Sequence, residues 1–480
     1  MTLTRELSSK FAPYAVGLTS LKQEVSQQHL PVQGQLPAWL TGKLIRTGPA
    51  LFAIENQPYQ HWFDGLAMLH HFSFAGDNVI YSNRFLKSDS YKEAHFLDEI
   101  HRNEFGTNPD QNLIERIGTF IGTSKPTDNG NVNVVKLGDK FAAVTESNLA
   151  CLINPDTLEM LGHFSYDAEI KGQMTTAHPH YDFERNCLYN YQTEFGRQSY
   201  YKIYRIDAQN QQTLIGKIPV EDPAYMHSFT VTENYIILSE FPLVMKPLKL
   251  ATRSLRGQTL ADSLEWQGDR ATQFRIISKE DGRVVHTATG ESGFAFHHIN
   301  AFEQDKEIVV DMSRYQDAKI MQDFYLENLR DSNHDIAYSH LTRYHISWDS
   351  ETAIAEEITP HTVEFPRINY QKCNGKKYRY VWGGDAQKPG DFINQLIKVD
   401  VVERKVDFWN QPHCYPGEPV FIPTPNATAE DEGVLLSVVL DTEKQQSFLL
   451  ILDAQNLQEL ARVDLPHIIP LGFHGEYFAA

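Results

Sequence analysis

The sequence predicts an all-β fold built as a β-propeller, and three observations carry that expectation. Short β-rich runs alternate with tight turns along most of the chain. Long helical periodicity is scarce. Strand-plus-turn units recur at a period near 50 residues.

The strands come first. Residues 131–161, "NVNVVKLGDKFAAVTESNLACLINPDTLEML", are β-rich stretches broken by "GDK" and "NPDT", residue types that turn the chain. Residues 273–289, "QFRIISKEDGRVVHTAT", repeat the form, with Asp281-Gly282 as a hairpin turn. The repeat follows from where strands stop. Strand-like runs end on Asn154, Asp207, Asp400 and Asp453 and then turn. Asn154 and Asp207 are 53 residues apart, as are Asp400 and Asp453. A unit of that length made of a few strands is a propeller blade, although turn chemistry alone also puts Asp and Asn at strand ends. No Gly/Ser- or Pro-rich linker splits residues 1–480, so the whole chain reads as one propeller domain. In a closed ring the last strand pairs within a blade that also holds N-terminal chain, which predicts an ordered C-terminus.

Composition excludes some functions. The 480 residues are 41% hydrophobic, enough for a large core. The net charge of −19 argues against nucleic acid as a partner, because phosphate binding needs a basic surface. The four cysteines, Cys151, Cys187, Cys373 and Cys414, form neither a CxxC pair nor a disulfide framework, and read as reduced thiols of a cytoplasmic protein. No apolar leader stretch opens the chain and no run of about 18 apolar residues spans a membrane.

Four of the twenty histidines share similar surroundings: His178 in "TTAHPHYD", His227 in "AYMHSFTVTE", His297 in "FAFHHINAFE" and His474 in "LGFHGEY". Each sits at or beside a strand-like apolar run. An axial site in a propeller needs ligands dispersed in this way, one inner strand per blade, and imidazole suits Fe, Zn, Cu or Ni. A histidine between apolar residues also serves as a hydrogen-bonded core residue, so spacing alone leaves both readings open. There is no HExxH motif. His180-Tyr181-Asp182 matches the HxD half of a two-His-one-carboxylate iron site, which leaves a 2-oxoglutarate oxygenase as a rival.

Longer strings carry a resemblance to a family. "LTGKLIRTGPALF" (40–52), "HWFDGLAMLHHFSF" (61–74), "NRFLKSDSYK" (83–92), "NEFGT" (103–107), "ESNL" (146–149), "AHPHYD" (177–182), "FHHINAFE" (296–303), "FPRINY" (365–370), "DEGVLLSVVL" (431–440) and "GFHG" (472–475) resemble the carotenoid cleavage oxygenases. The closer likeness is to the animal branch of β-carotene oxygenases and the retinoid isomerohydrolase. The resemblance implies a seven-bladed β-propeller with a non-haem Fe(2+) on its axis and a helical and loop cap over one face. It implies the metal ligands His178, His227, His297 and His474, with His180 and His298 as neighbours only. It implies three glutamates, Glu146, Glu364 and Glu418, that accept the N–H of ligand histidines and so strengthen them as donors. Thr145 resembles the threonine that crowds an open coordination position. Phe63, Phe105, Phe296 and Phe365 match positions of the substrate tunnel wall, though ordinary core packing also explains a phenylalanine.

The implied reaction is cleavage of a conjugated C=C bond with O2 to two carbonyl products. "FDGLAML" (63–69) tilts the substrate toward β-carotene, cleaved centrally to retinal. Apocarotenoid or stilbene cleavage, an isomerohydrolase reaction and a retinoid-binding propeller without turnover stay as alternatives. Carotenoids live in membranes, so the cavity mouth is expected to meet the bilayer. Residues 109–122 read as a helix whose Leu113, Ile114, Ile117, Phe120 and Ile121 share one face, and the resemblance implies peripheral membrane contact there.

Overall fold

In a computed structural model, which describes residues 10–76, 78–112, 114–116 and 126–479, the chain forms seven antiparallel sheets around one axis. Blade 1 runs outward from the axis as Gly475–Ala479, Gly42–Leu51, Leu66–Ala75, Asn78–Phe85 and Val25–Leu30. Blades 2 to 6 follow in chain order, with inner strands starting at Asn133, Met174, Thr230, His298 and Glu364. Blade 7 starts with Cys414–Pro416 and Val420–Pro423, and its rim is completed by Val32–Gly34.

The ring therefore closes twice. Val32–Gly34 pairs with Glu459–Asp464 at the rim of blade 7, and Gly475–Ala479 pairs with Gly42–Arg46 at the axis of blade 1. The approach to the second closure is close: a side chain at Gly48 would begin 2.9 Å from the Cα of Gly472, and one at Gly475 would begin 2.5 Å from Arg46 Cγ. Only glycines let the chain pass here.

The ~50-residue repeat is the blade. Asn154, Asp207, Asp400 and Asp453 all stand at the end of the third strand of a blade, where the chain turns into the rim strand. The Asp281-Gly282 hairpin joins Thr272–Ser278 to Val284–Gly290 as expected, with Gly282 at φ +67°.

The core is divided by interface. A separate apolar cluster fills each of the seven gaps between neighbouring blades, including Leu44, Phe72, Leu436 and Leu449 between blades 7 and 1. The middle strands of a blade are thus covered on both faces. Leu66–Ala75 is buried at eight of its ten residues rather than at alternate ones.

The cap is made from the connections on one face, and its pieces are short. The longest described helix is Asp89–Leu97, N-capped by Ser88, whose Oγ accepts the Tyr91 N–H. Most of the apolar face expected over 109–122 (Leu113, Ile117, Phe120, Ile121) lies outside the described residues; Ile114 is described and is 81% exposed. No described helix is long and apolar enough to cross a membrane. All four cysteines are buried and free.

Candidate metal centre

Four blades bring one histidine each to the axis. His227, His297 and His474 immediately or closely precede the inner strands of blades 4, 5 and 1, and His178 interrupts that of blade 3. A donor nitrogen from each lies within 4.8 Å of the other three. His178 Nε2 is 3.1 Å from His227 Nε2, and His297 Nε2 is 3.2 Å from His474 Nε2. His474 is fixed by its backbone, which donates to Val132 C=O and accepts from Thr47 N–H.

The remaining three blades supply carboxylates. Glu146 follows the second strand of blade 2, Glu364 opens the inner strand of blade 6, and Glu418 sits in the break of the inner strand of blade 7. Glu146 Oε1 accepts from His227 Nδ1 at 2.7 Å, Glu364 Oε2 from His297 Nδ1 at 2.6 Å, and Glu418 Oε1 from His474 Nδ1 at 2.8 Å. Every blade contributes one side chain to the histidine–carboxylate set. Phe365, beside Glu364, takes φ +52° at an irregularity in the blade 6 pairing. That backbone strain turns Glu364 onto His297 and lays the Phe365 ring 5.3 Å from the ring of His474.

The arrangement fits a cation. With Nδ1 of three rings donating to carboxylates, their Nε2 atoms carry lone pairs and converge with no proton between them. Burial keeps three of the rings neutral, as ligands must be: it pulls His178 and His297 well below the usual imidazole range and His474 down to about 4. The carboxylates differ. Burial opposes the charge on Glu418, but Arg367, His474 and Arg46 outweigh it and hold it well below the carboxylate range. Burial pushes Glu364 up to about 7, against hydrogen bonds from Tyr315 and Ser339. A dication on the four nitrogens would draw it back down.

A cavity of about 1360 Å³ opens on the capped side. His227, His297 and His474 line it, as do Thr145, Glu146 and Glu364, whereas His178 and Glu418 lie behind the wall. Phe63, Phe105, Phe296 and Phe365 all line it too. The "WFDG" stretch explains two of them. His61 and Asp64 form a reciprocal cap around the turn Trp62–Asp64, and Trp62 Nε1 donates to Leu471 C=O. Asp64 also accepts from Gly106 N–H and Thr107 Oγ1, which sets the Phe63 and Phe105 rings 5.3 Å apart.

The HxD alternative is not assembled. His180 bonds Phe229 C=O and Tyr370, while Asp182 is paired with Lys279 and Arg185. His298 is bracketed by Ser228 and Ser239. A second group, Asp128, Cys151 and His163, is also close. Asp128, however, already accepts from Asp89 and Ser90 N–H, Ser90 Oγ and Arg102, besides His163, which leaves it no free lone pair for a metal.

Sequence reading missed the groups that support the carboxylates. Tyr225 OH donates to both oxygens of Glu146 at 3.0 Å, and Arg367 and Arg46 reach Glu418 at 2.9 and 3.3 Å. Arg367 stands inside "FPRINY" and Tyr225 two residues before His227, so adjacency to a site motif was the available signal.

Comparison with known proteins agrees with this geometry. Residues 18–479 match the family described as "Retinal pigment epithelial membrane protein". "Carotenoid-cleaving dioxygenase, mitochondrial" of Mustela putorius furo is 34% identical, covering 99% of this chain and 97% of its own. "Beta,beta-carotene 15,15'-dioxygenase" of Mus musculus is 34% identical, covering 95% and 89%. Among solved structures, "Crystal structure of cobalt-substituted Synechocystis ACO" superposes with a TM-score of 0.88 at 26% identity, covering 98% of this chain and 100% of that one. The chain belongs to the retinal pigment epithelial membrane protein family, the family of the carotenoid-cleaving dioxygenases.

Proposed function

We propose that this chain is a non-haem Fe(II) oxygenase that cleaves a conjugated C=C bond of a carotenoid or apocarotenoid with O2 into two aldehyde or ketone products. One observation carries the reading: the Nε2 atoms of His178, His227, His297 and His474 converge beside an aromatic cavity. These four histidines would hold iron(II), which would supply the activation of O2 for the cleavage.

The chain's own residues do the rest. Glu146, Glu364 and Glu418 fix the imidazole rings and raise their basicity. Thr145 narrows the cavity beside Glu146. Phe63, Phe105, Phe296 and Phe365 hold a polyene against the centre and exclude water. No residue needs to move a proton, because C=C and O2 become two C=O groups with nothing added or lost. The cavity volume, about 1360 Å³, exceeds the roughly 300–1,000 Å³ of ordinary ligand pockets, which suits a long substrate. The relatives named for β,β-carotene 15,15'-cleavage favour central cleavage of β-carotene to retinal. The solved relatives named apocarotenoid oxygenase favour a shorter substrate.

The same reading puts the cavity mouth against lipid. Leu248 both lines the cavity and is 76% exposed, which supports peripheral membrane contact, with the segment 109–122 as a second contact. Iron-loaded protein incubated with β-carotene, an apocarotenal and resveratrol tests the function by product identification. Carbonyl products from a carotenoid are expected; iron-loaded protein that cleaves no carotenoid contradicts the reading.

A further inference from the structure

Arg253, in the wall of the substrate cavity, is an arginine without a counter-ion among the described residues. It follows the cap helix Pro247–Ala251, in the connection between the second and third strands of blade 4. That connection is tied to the cavity wall: Ala261 N–H donates to Phe105 C=O at 2.9 Å, and Asn108 Nδ2 to Gly257 C=O at 3.1 Å. Arg253 lines the cavity alongside Leu250 and Leu260. Several other buried or half-buried arginines are paired with carboxylates. Arg102 grips Glu93 and Asp128, Arg343 grips Asp311, and Arg367 grips Glu418 and Glu476. The Arg253 guanidinium makes no hydrogen bond, ion pair or ring contact with any described residue. Burial alone pulls its pKa down, with no opposing charge.

A half-buried guanidinium with no partner among the described residues must find its acceptors in the cavity itself. A hydrocarbon polyene offers no acceptor. A polyene ending in a carbonyl, carboxylate or hydroxyl does, and a guanidinium presents five donors to such an oxygen. We propose that Arg253 receives the oxygenated end of an apocarotenoid and thereby sets a preference for oxygen-terminated substrates over β-carotene. This rests on the carotenoid-cleaving reading above and narrows its substrate class. Arg253 touches the distal end of the substrate, so it selects and positions; it takes no part in the bond cleavage.

The test compares β-apo-8'-carotenal with β-carotene, both dispersed in the same detergent, on wild type, R253M and R253K. Cleavage is followed as kcat and KM for each substrate, and binding independently by quenching of tryptophan fluorescence. A hydrogen bond from a charged group is worth at least about tenfold in affinity. Wild type should therefore favour the carotenal. In R253M the ratio of kcat/KM for carotenal over β-carotene should fall at least about tenfold, through KM rather than kcat, and R253K should recover part of it. Circular dichroism and melting temperature establish that the variants fold. If R253M shifts neither the ratio nor the binding preference, or weakens both substrates equally, the proposal is wrong. If wild type cleaves neither substrate, the functional reading fails instead, and the fluorescence comparison still decides whether Arg253 recognises the carbonyl end.

Discussion

His297 Nε2 and His474 Nε2 face one another at 3.2 Å, and each ring is held from behind by a carboxylate, Glu364 at 2.6 Å and Glu418 at 2.8 Å. Both rings then carry their proton on Nδ1, so two lone pairs point at one another. In a buried site that contact is repulsive unless a cation occupies it. The pairing therefore ties metal occupancy to the stability of the axis, where Gly475–Ala479 closes blade 1.

Metal content should follow the geometry residue by residue. Replacing His178, His227, His297 or His474 with Ala is expected to remove most bound iron and abolish turnover. H180A and H298A should keep iron, because their rings are committed to Phe229 C=O and to Ser228 and Ser239. Elemental analysis of the purified variants decides it: iron lost from H180A but kept in H178A would overturn the ligand assignment.

The three carboxylates should not be equivalent. E364Q keeps the volume and removes an acceptor, with an expected loss of roughly 10–100-fold in activity or iron affinity. E418Q does the same and also takes the carboxylate from Arg46 and one of the two carboxylates from Arg367, which keeps Glu476, and breaking such a buried pair costs about 3–5 kcal/mol. E418Q should therefore melt well below E364Q. Equal melting temperatures would show that the two arginines need no partner here.

Acid should weaken the fold through its buried histidines, which outnumber raised carboxylates such as Asp64 and Glu364 working against them. His61 and His70 are buried; burial lowers His61 to about 3 and His70 well below its usual value. In the unfolded chain both titrate near 6.5. The unfolded state thus binds protons that the folded state refuses, and stability falls as pH drops below about 6.5. At pH 5 His61 alone contributes a loss of about 2 kcal/mol, and His70 acts in the same direction. Urea unfolding of metal-stripped protein at pH 7 and pH 5 reads the difference, and equal or greater stability at pH 5 would contradict it.

Membrane contact should depend on Ile114 and Leu248, which are 81% and 76% exposed. Sinking each into the acyl boundary is worth about 1.5–3 kcal/mol at most. The double variant I114S/L248S is expected to raise the soluble fraction in liposome co-sedimentation and to slow cleavage of liposome-borne carotenoid, with detergent-dispersed substrate spared. Unchanged partitioning would remove these residues from the contact.

The repeat and the four histidines were legible because both are local. A blade ends its third strand on a turn residue such as Asp207 or Asp453, and each of the four axial histidines abuts or interrupts an inner strand. The strands themselves were harder to delimit. Leu66–Ala75 is packed on both faces, so it lacks the alternation that marks a half-buried strand. The support of the carboxylates was not legible at all. Arg46 and Glu418 are 372 residues apart in the chain and meet only when the ring closes. Arg253 is also invisible in sequence, because what singles it out is the absence of a partner among the described residues.

Iron stoichiometry coupled to turnover tests the central claim most directly. Metal-stripped protein is titrated with Fe(II) under anaerobic conditions, then given a carotenoid and O2. The account predicts turnover that rises linearly and saturates at one iron per chain, and none at any iron level in H474A. Undiminished cleavage by the metal-stripped protein in the presence of a chelator, or saturation without bound iron, would contradict it.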